Sequence, residues 1–185
     1  MGGLSGVLDG SARAVATALV TVAVLLGVRL AISPLIGDPV TISTYFGVAG
    51  GFVGAVAMVV GLDVLGLSGP TPGAQFWARV AGDVEPGSAR WPGLAVHLVY
   101  GAVAGAVYPR ALWWALEGSM MTIPGGLLGG VIFGTILFVL ALAFWLAGLY
   151  GMVASADLLA RYYTLHLVYG VALGSVVGTY SLVVG

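Results

Sequence analysis

The chain has only two histidines, His97 and His166, and each opens the same pentapeptide. His-Leu-Val-Tyr-Gly occupies 97–101 and returns at 166–170, a shift of 69 residues. Imidazole can carry a proton or ligate a metal near neutral pH. On a helix, His97, Gly101 and Gly105 fall at i, i+4 and i+8 and share one face, as do His166, Gly170 and Gly174. A histidine followed on its own face by two glycines leaves a flat recess. A planar cofactor could lie there with the imidazole as axial ligand, as in membrane b-type cytochromes. Haem b with its iron between His97 and His166 is therefore one expectation. The commoner use of such a face is packing, because Gly-x-x-x-Gly lets helix backbones approach closely. The histidines would then hydrogen-bond to Tyr100, Tyr169 or a free carbonyl. A quinone or other substrate site is the third expectation.

Asp63 and Arg29 are charges within apolar runs. A carboxylate at the bilayer centre costs roughly 2.5–3.5 kcal/mol, so membrane carboxylates tend to be paired or functional. Asp63 is expected about one turn from a helix end, either wetted by headgroups, paired with Arg13, or part of a proton path with His97 or His166. Arg29 lies on the opposite side and is expected to snorkel to the interface. The glycine rows Gly47/Gly51, Gly50/Gly54, Gly126/Gly130/Gly134 and Gly170/Gly174/Gly178 lie inside apolar runs. They signal close helix packing and have no phosphate-binding meaning. Cysteine is absent, which excludes disulfides, thiolate metal sites and cysteine nucleophiles in this chain. No catalytic residue and no metal site apart from the possible haem iron is expected.

The elements that must position these residues follow from composition. Of 185 residues, 60% are hydrophobic and 7% charged, against about 25% charged in a soluble domain. Thirteen charges cannot cover a water-facing surface. A soluble globular enzyme, a disordered tail and a nucleic-acid binder are excluded. A bilayer core needs roughly 20 apolar residues per helix. Five runs qualify, about 12–33, 43–67, 92–116, 123–150 and 158–184. Pro109 is expected to kink the third or shorten it to about Tyr108. The run from Ala14 to Ile32 is long enough to span and is expected to be a retained helix rather than a cleaved signal. Gln75 to Val80, inside the longest polar stretch, is expected to form a short interfacial helix.

All six basic residues are arginine. Five spans place Arg13, Arg79, Arg90 and Arg161 on the N-terminal side and Arg29 and Arg110 on the other, which favours a cytoplasmic N-terminus. Aromatic belts are expected to include Trp77 and Trp91 on the first side, and Tyr45, Tyr108 and Tyr180 on the second.

Gly50-Gly51 followed by Gly54, and Gly129-Gly130 followed by Gly134, precede the two pentapeptides. The paired glycines lie 79 residues apart, from 50 to 129. Helices two–three and four–five are thus expected to be parallel copies of one hairpin, unlike the inverted repeats of many transporters.

On these residues the chain resembles small glycine-rich polytopic membrane proteins of halophilic archaea that carry an H-L-x-Y-G motif near a helix start. The resemblance implies membrane location and an association with respiratory-chain components, but no activity. The expected fold is an all-α bundle of about five transmembrane helices. The expected role is a non-catalytic subunit of a multi-subunit membrane complex. A haem b electron carrier and a small oligomeric channel or transporter are the alternatives. The expected partners are the lipid bilayer and other membrane subunits or further copies of the chain, with no nucleic acid.

Overall fold

The computed structural model describes residues 39–67, 69–81, 84–116, 122–143 and 155–184. Every regular element among them is helical: α1 (Pro39–Val64), α2 (Pro72–Val80), α3 (Arg90–Leu116), α4 (Ile123–Ala141), α5 (Ala156–Gly178) and α6 (Tyr180–Val184). Four stretches are long and apolar enough to cross a membrane: Thr41–Val64, Arg90–Leu112, Ile123–Ala141 and Ala156–Leu182. They correspond to the second to fifth expected spans. The expected first span, 12–33 with Arg13 and Arg29, lies outside the described residues, as does the far end of 123–150 beyond residue 143.

Local chemistry sets the boundaries. α1 ends earlier than expected because Gly66 adopts φ 65°. There the Leu67 N–H reaches the Leu62 carbonyl at 3.0 Å and the Gly66 N–H reaches Asp63 at 3.2 Å, the pattern of a glycine stop. α2 starts earlier than expected because the Thr71 hydroxyl accepts the Ala74 N–H at 3.2 Å and Pro72 fills the first turn. α2 is amphipathic. Ala74 and Ala78 are buried with Ala89, while Trp77 and Val80 are exposed.

Pro109 neither ends nor shortens α3, which runs on to Leu116. Proline removes the donor that would have served the Gly105 carbonyl four residues back. That carbonyl instead faces the Gly47 backbone of α1, where an added Cβ would overlap both it and the Pro109 ring. The two backbones are therefore in close approach at the proline.

The helices pack through their glycines. On α1 and α3, Gly47 faces Gly105 and Gly51 faces Gly101. On α4 and α5, Gly126 faces Gly174, Gly130 faces Gly170, and Gly134 faces the His166 backbone. Both pairs run antiparallel. α1 also lies antiparallel on α5, with Gly50 under Leu173 and Gly54 under Tyr169. Leu165, Leu173 and Val177 of α5 are among the most completely buried apolar side chains, since α5 is covered from both sides.

α3 and α4 meet only near Thr122. There the Tyr108 hydroxyl donates to the Gly126 carbonyl at 2.7 Å, and its ring lies 5.2 Å from Phe133. Toward the Arg90 end a cavity separates them. Tyr108 and Tyr180 are therefore core residues, not belt residues, and Tyr180 packs edge-on against Phe46. Trp77, Trp91 and Tyr45 are exposed as a belt requires.

Candidate functional site

The cavity between α3 and α4 has a volume of about 130 Å³ and receives both histidines. α1 and α5 form its back wall through Met58 and Leu165, and Leu137 and Phe138 of α4 close one side. Residues Thr71 to Gln75, at the start of α2, border its mouth at the Arg90 end. None of the described residues that line it is charged.

His166 is buried on α5, one turn beyond Tyr162. Its Nδ1 lies 2.7 Å from the Tyr162 carbonyl. A carbonyl can only accept, so Nδ1 carries the proton and, in the neutral ring, Nε2 is left as an acceptor. The Phe138 ring stands edge-on to this imidazole at 5.6 Å. His97 enters from α3, with the Ala55 carbonyl beside its ring and His166 within electrostatic range. Its Nε2 is buried and is the one such side-chain atom among the described residues with no hydrogen-bond partner. A buried polar atom left without a partner costs about 1–3 kcal/mol, so this nitrogen marks the place where a ligand atom or a water belongs.

The two repeated tyrosines part company. Tyr169 is buried, and its hydroxyl donates to the Gly101 carbonyl at 2.7 Å, sealing the cavity floor between α5 and α3. Tyr100 is 40% exposed at the junction of the cavity with an outer groove. Neither tyrosine hydrogen-bonds a histidine. His166 takes a main-chain carbonyl instead.

The recess expected over Gly101, Gly105, Gly170 and Gly174 is filled. Each of these glycines lies against the backbone of a facing helix, with no room even for a methyl group. The cavity left beside the histidines is close in size to one that takes a benzene ring, about 150 Å³. A haem held between His97 and His166 does not fit this arrangement. The glycines serve helix approach, the use that small residues have in membrane bundles.

Asp63 is exposed in the last turn of α1 and does not line the cavity. The structure does not bring it to the histidines, and the suggested partner Arg13 lies outside the described residues. Arg161 is the cation that reaches the end of α1. Its Nη1–H donates to the Leu65 carbonyl at 2.6 Å, and its Nε–H lies 2.9 Å from Asp157. Sequence reasoning did not find Phe138, Tyr162 or the α2 start as parts of the site. Phe138 and the α2 start reach it only through packing between helices, which no spacing encodes. Tyr162 could have been found, because it lies four residues before His166 on the same face.

Comparison of the chain with protein-family models, with curated proteins and with solved structures gave no match.

Proposed function

We propose that this chain is a non-catalytic integral membrane subunit of a larger membrane assembly of the electron-transport type. The observation that carries this role is the contrast between its inner and outer helix faces. The small residues are used up inside the bundle, while Val99, Val103 and Val107 of α3 and Leu128, Ile132 and Ile136 of α4 form exposed apolar rows. In water such rows would be a liability. In a bilayer they suit lipid tails or the helices of a partner. The membrane is the cell membrane, with the N-terminus cytoplasmic, as the four-to-two arginine asymmetry favours. With the run 12–33 the chain makes five spans.

We also infer that α1–α3 and α4–α5 are two copies of one hairpin. The support is register. The Gly47–Gly105 and Gly51–Gly101 contacts recur as Gly126–Gly174 and Gly130–Gly170, each partner displaced by the 79- and 69-residue shifts of the sequence. In that register Gly54 corresponds to Phe133, and Gly134 corresponds to Ala55.

A second role, a small oligomeric transporter with the histidines on its path, draws on the shape of the cavity. It is bordered by the start of α2 at one end, and at the other α3 and α4 are joined by Tyr108. That is the form of a one-sided access path.

Native mass of the gently solubilised particle tests these roles. Unlike chains at fixed stoichiometry are expected for the subunit. A symmetric particle built only from this chain would support the transporter instead, and a lone monomer would defeat both.

A further inference from the structure

A second concavity adjoins the histidine cavity. It is an apolar outer groove of about 1090 Å³ between α2, α3 and α4, and it shares Val96 and Tyr100 with the cavity. From Pro92 to Val103 it follows α3 for about 16 Å at 1.5 Å per residue. A small chamber with two imidazoles thus adjoins a long apolar groove on α3, with Val96 and Tyr100 between them.

We propose that chamber and groove together bind the reduced, quinol form of a quinone-type lipid, with its aromatic head beside His97 and His166 and its apolar tail along Val99 and Val103. The proposal deepens the subunit role by giving the chain a ligand, and it rests on that role only in taking the bilayer as solvent.

Each part of the ligand answers a feature of the site. The chamber suits a single substituted ring by volume. None of the described residues lining it is charged, so a phospholipid or fatty-acid head would be buried there without a counter-ion among them. A sterol nucleus is too large, and a plain alcohol would leave the chamber partly empty. A ring bearing oxygens is neutral and fits. The Nε2 of His166 must accept, because its Nδ1–H is committed to Tyr162. A quinol hydroxyl supplies that donor. A second ring oxygen meets the unpartnered Nε2 of His97. Phe138, already edge-on to His166, provides an aromatic wall. The tail lies along an apolar groove of the described helices, toward the lipid from which such a ligand would arrive.

Titration calorimetry on the purified full chain in detergent tests this with a benzoquinol carrying a decyl tail. Decanol and the tailless quinol are the controls. One quinol per chain is expected, with each control at least about tenfold weaker. His97→Leu should weaken binding about tenfold or more, and His97→Gln, which keeps a polar group there, should restore part of it. Val103→Trp fills the groove away from the histidines and should also weaken binding about tenfold. Circular dichroism and the melting temperature of each variant separate a lost site from a lost fold. Equal binding of decanol, or undiminished binding by a folded Val103→Trp, would overturn the proposal. So would a photo-crosslinker at position 99 that joins residues 12–33 equally well with and without saturating quinol, since the groove would then belong to the chain's own first segment. Quinol binding by a particle that proves to be a lone monomer would remove the subunit role and leave the ligand standing.

Discussion

Gly51 and Gly130 each face a backbone carbonyl of the neighbouring helix, that of Gly101 and that of Gly170. A methyl group at either position would overlap main chain, which cannot swing aside as a side chain can. Alanine has about 1 kcal/mol more helix propensity than glycine, and overpacking costs about 1–3 kcal/mol. The overlap wins here because lipid supplies no hydrophobic drive to hold separated helices together. Gly51→Ala and Gly130→Ala are each expected to destabilise by about 1–2 kcal/mol in a reversible detergent unfolding titration. Gly87→Ala has only the end of the Glu85 side chain nearby, at 3.8 Å, and should stay within about 0.5 kcal/mol. Stabilisation at all three positions would mean that the substitution acts through the unfolded chain and not through contact. The spacing of these glycines was legible in the sequence and their partners were not. A row at i and i+4 announces that a face is meant for close approach, but not whether a cofactor or another helix will approach. That is why the haem and packing expectations could be separated only in three dimensions.

Arg161 shows how one element is tied to another. It donates to the Leu65 carbonyl, one of those left open where α1 ends, and it also pairs with Asp157 one turn back on α5. The two side chains of the ion pair are 40% and 72% exposed, so that pair contributes only a few tenths of a kcal/mol. The bond to Leu65 joins α5 to α1 and is charge-assisted, which places it at about 1.5–3 kcal/mol. Asp157→Asn should therefore leave the melting temperature nearly unchanged, while Arg161→Met should lower it and speed amide exchange in residues 61–67. If Asp157→Asn proved the more damaging change, the ion pair and not the α1 tie would be holding this end. Helix positions were largely readable because apolar runs and Pro, Gly and Thr punctuation mark them directly. The passage of α3 through Pro109 was not readable. There α3 packs its Gly105 backbone and Pro109 ring against Gly47, a contact between residues 58 positions apart (47 to 105).

The described spans also fix which connections share a side. Glu85 and Asp157 lie at the Arg90 end, and Thr122 lies at the other. The chain has no native cysteine, so single replacements can be labelled without background. In right-side-out vesicles a membrane-impermeant maleimide should treat Glu85→Cys and Asp157→Cys alike and Thr122→Cys oppositely. Labelling of all three from one side would mean that the helices do not cross. The same whole-molecule view accounts for the cavity. If the hairpins are copies, the α1–α5 contact ought to have a counterpart between α4 and α3. On α1, Gly54 lets Tyr169 lie flat against the helix. The corresponding residue on α4 is Phe133, and the corresponding tyrosine is Tyr100, which is left 40% exposed. In that register the Phe133 ring stands where α1 has a glycine and packs on Tyr108, which bridges α3 and α4 about two turns beyond Tyr100, so no glycine on α4 lets Tyr100 draw the two helices together. If the halves are copies, the site is where they fail to match, a property of the pair that no single repeat displays. Phe133→Gly should let Tyr100 settle as Tyr169 does and close the chamber. His97 is then expected to react several-fold more slowly with diethyl pyrocarbonate, and quinol binding should fall with it. If His97 became more reactive, Phe133 would be a lid over the histidines and not the wedge that keeps their chamber open.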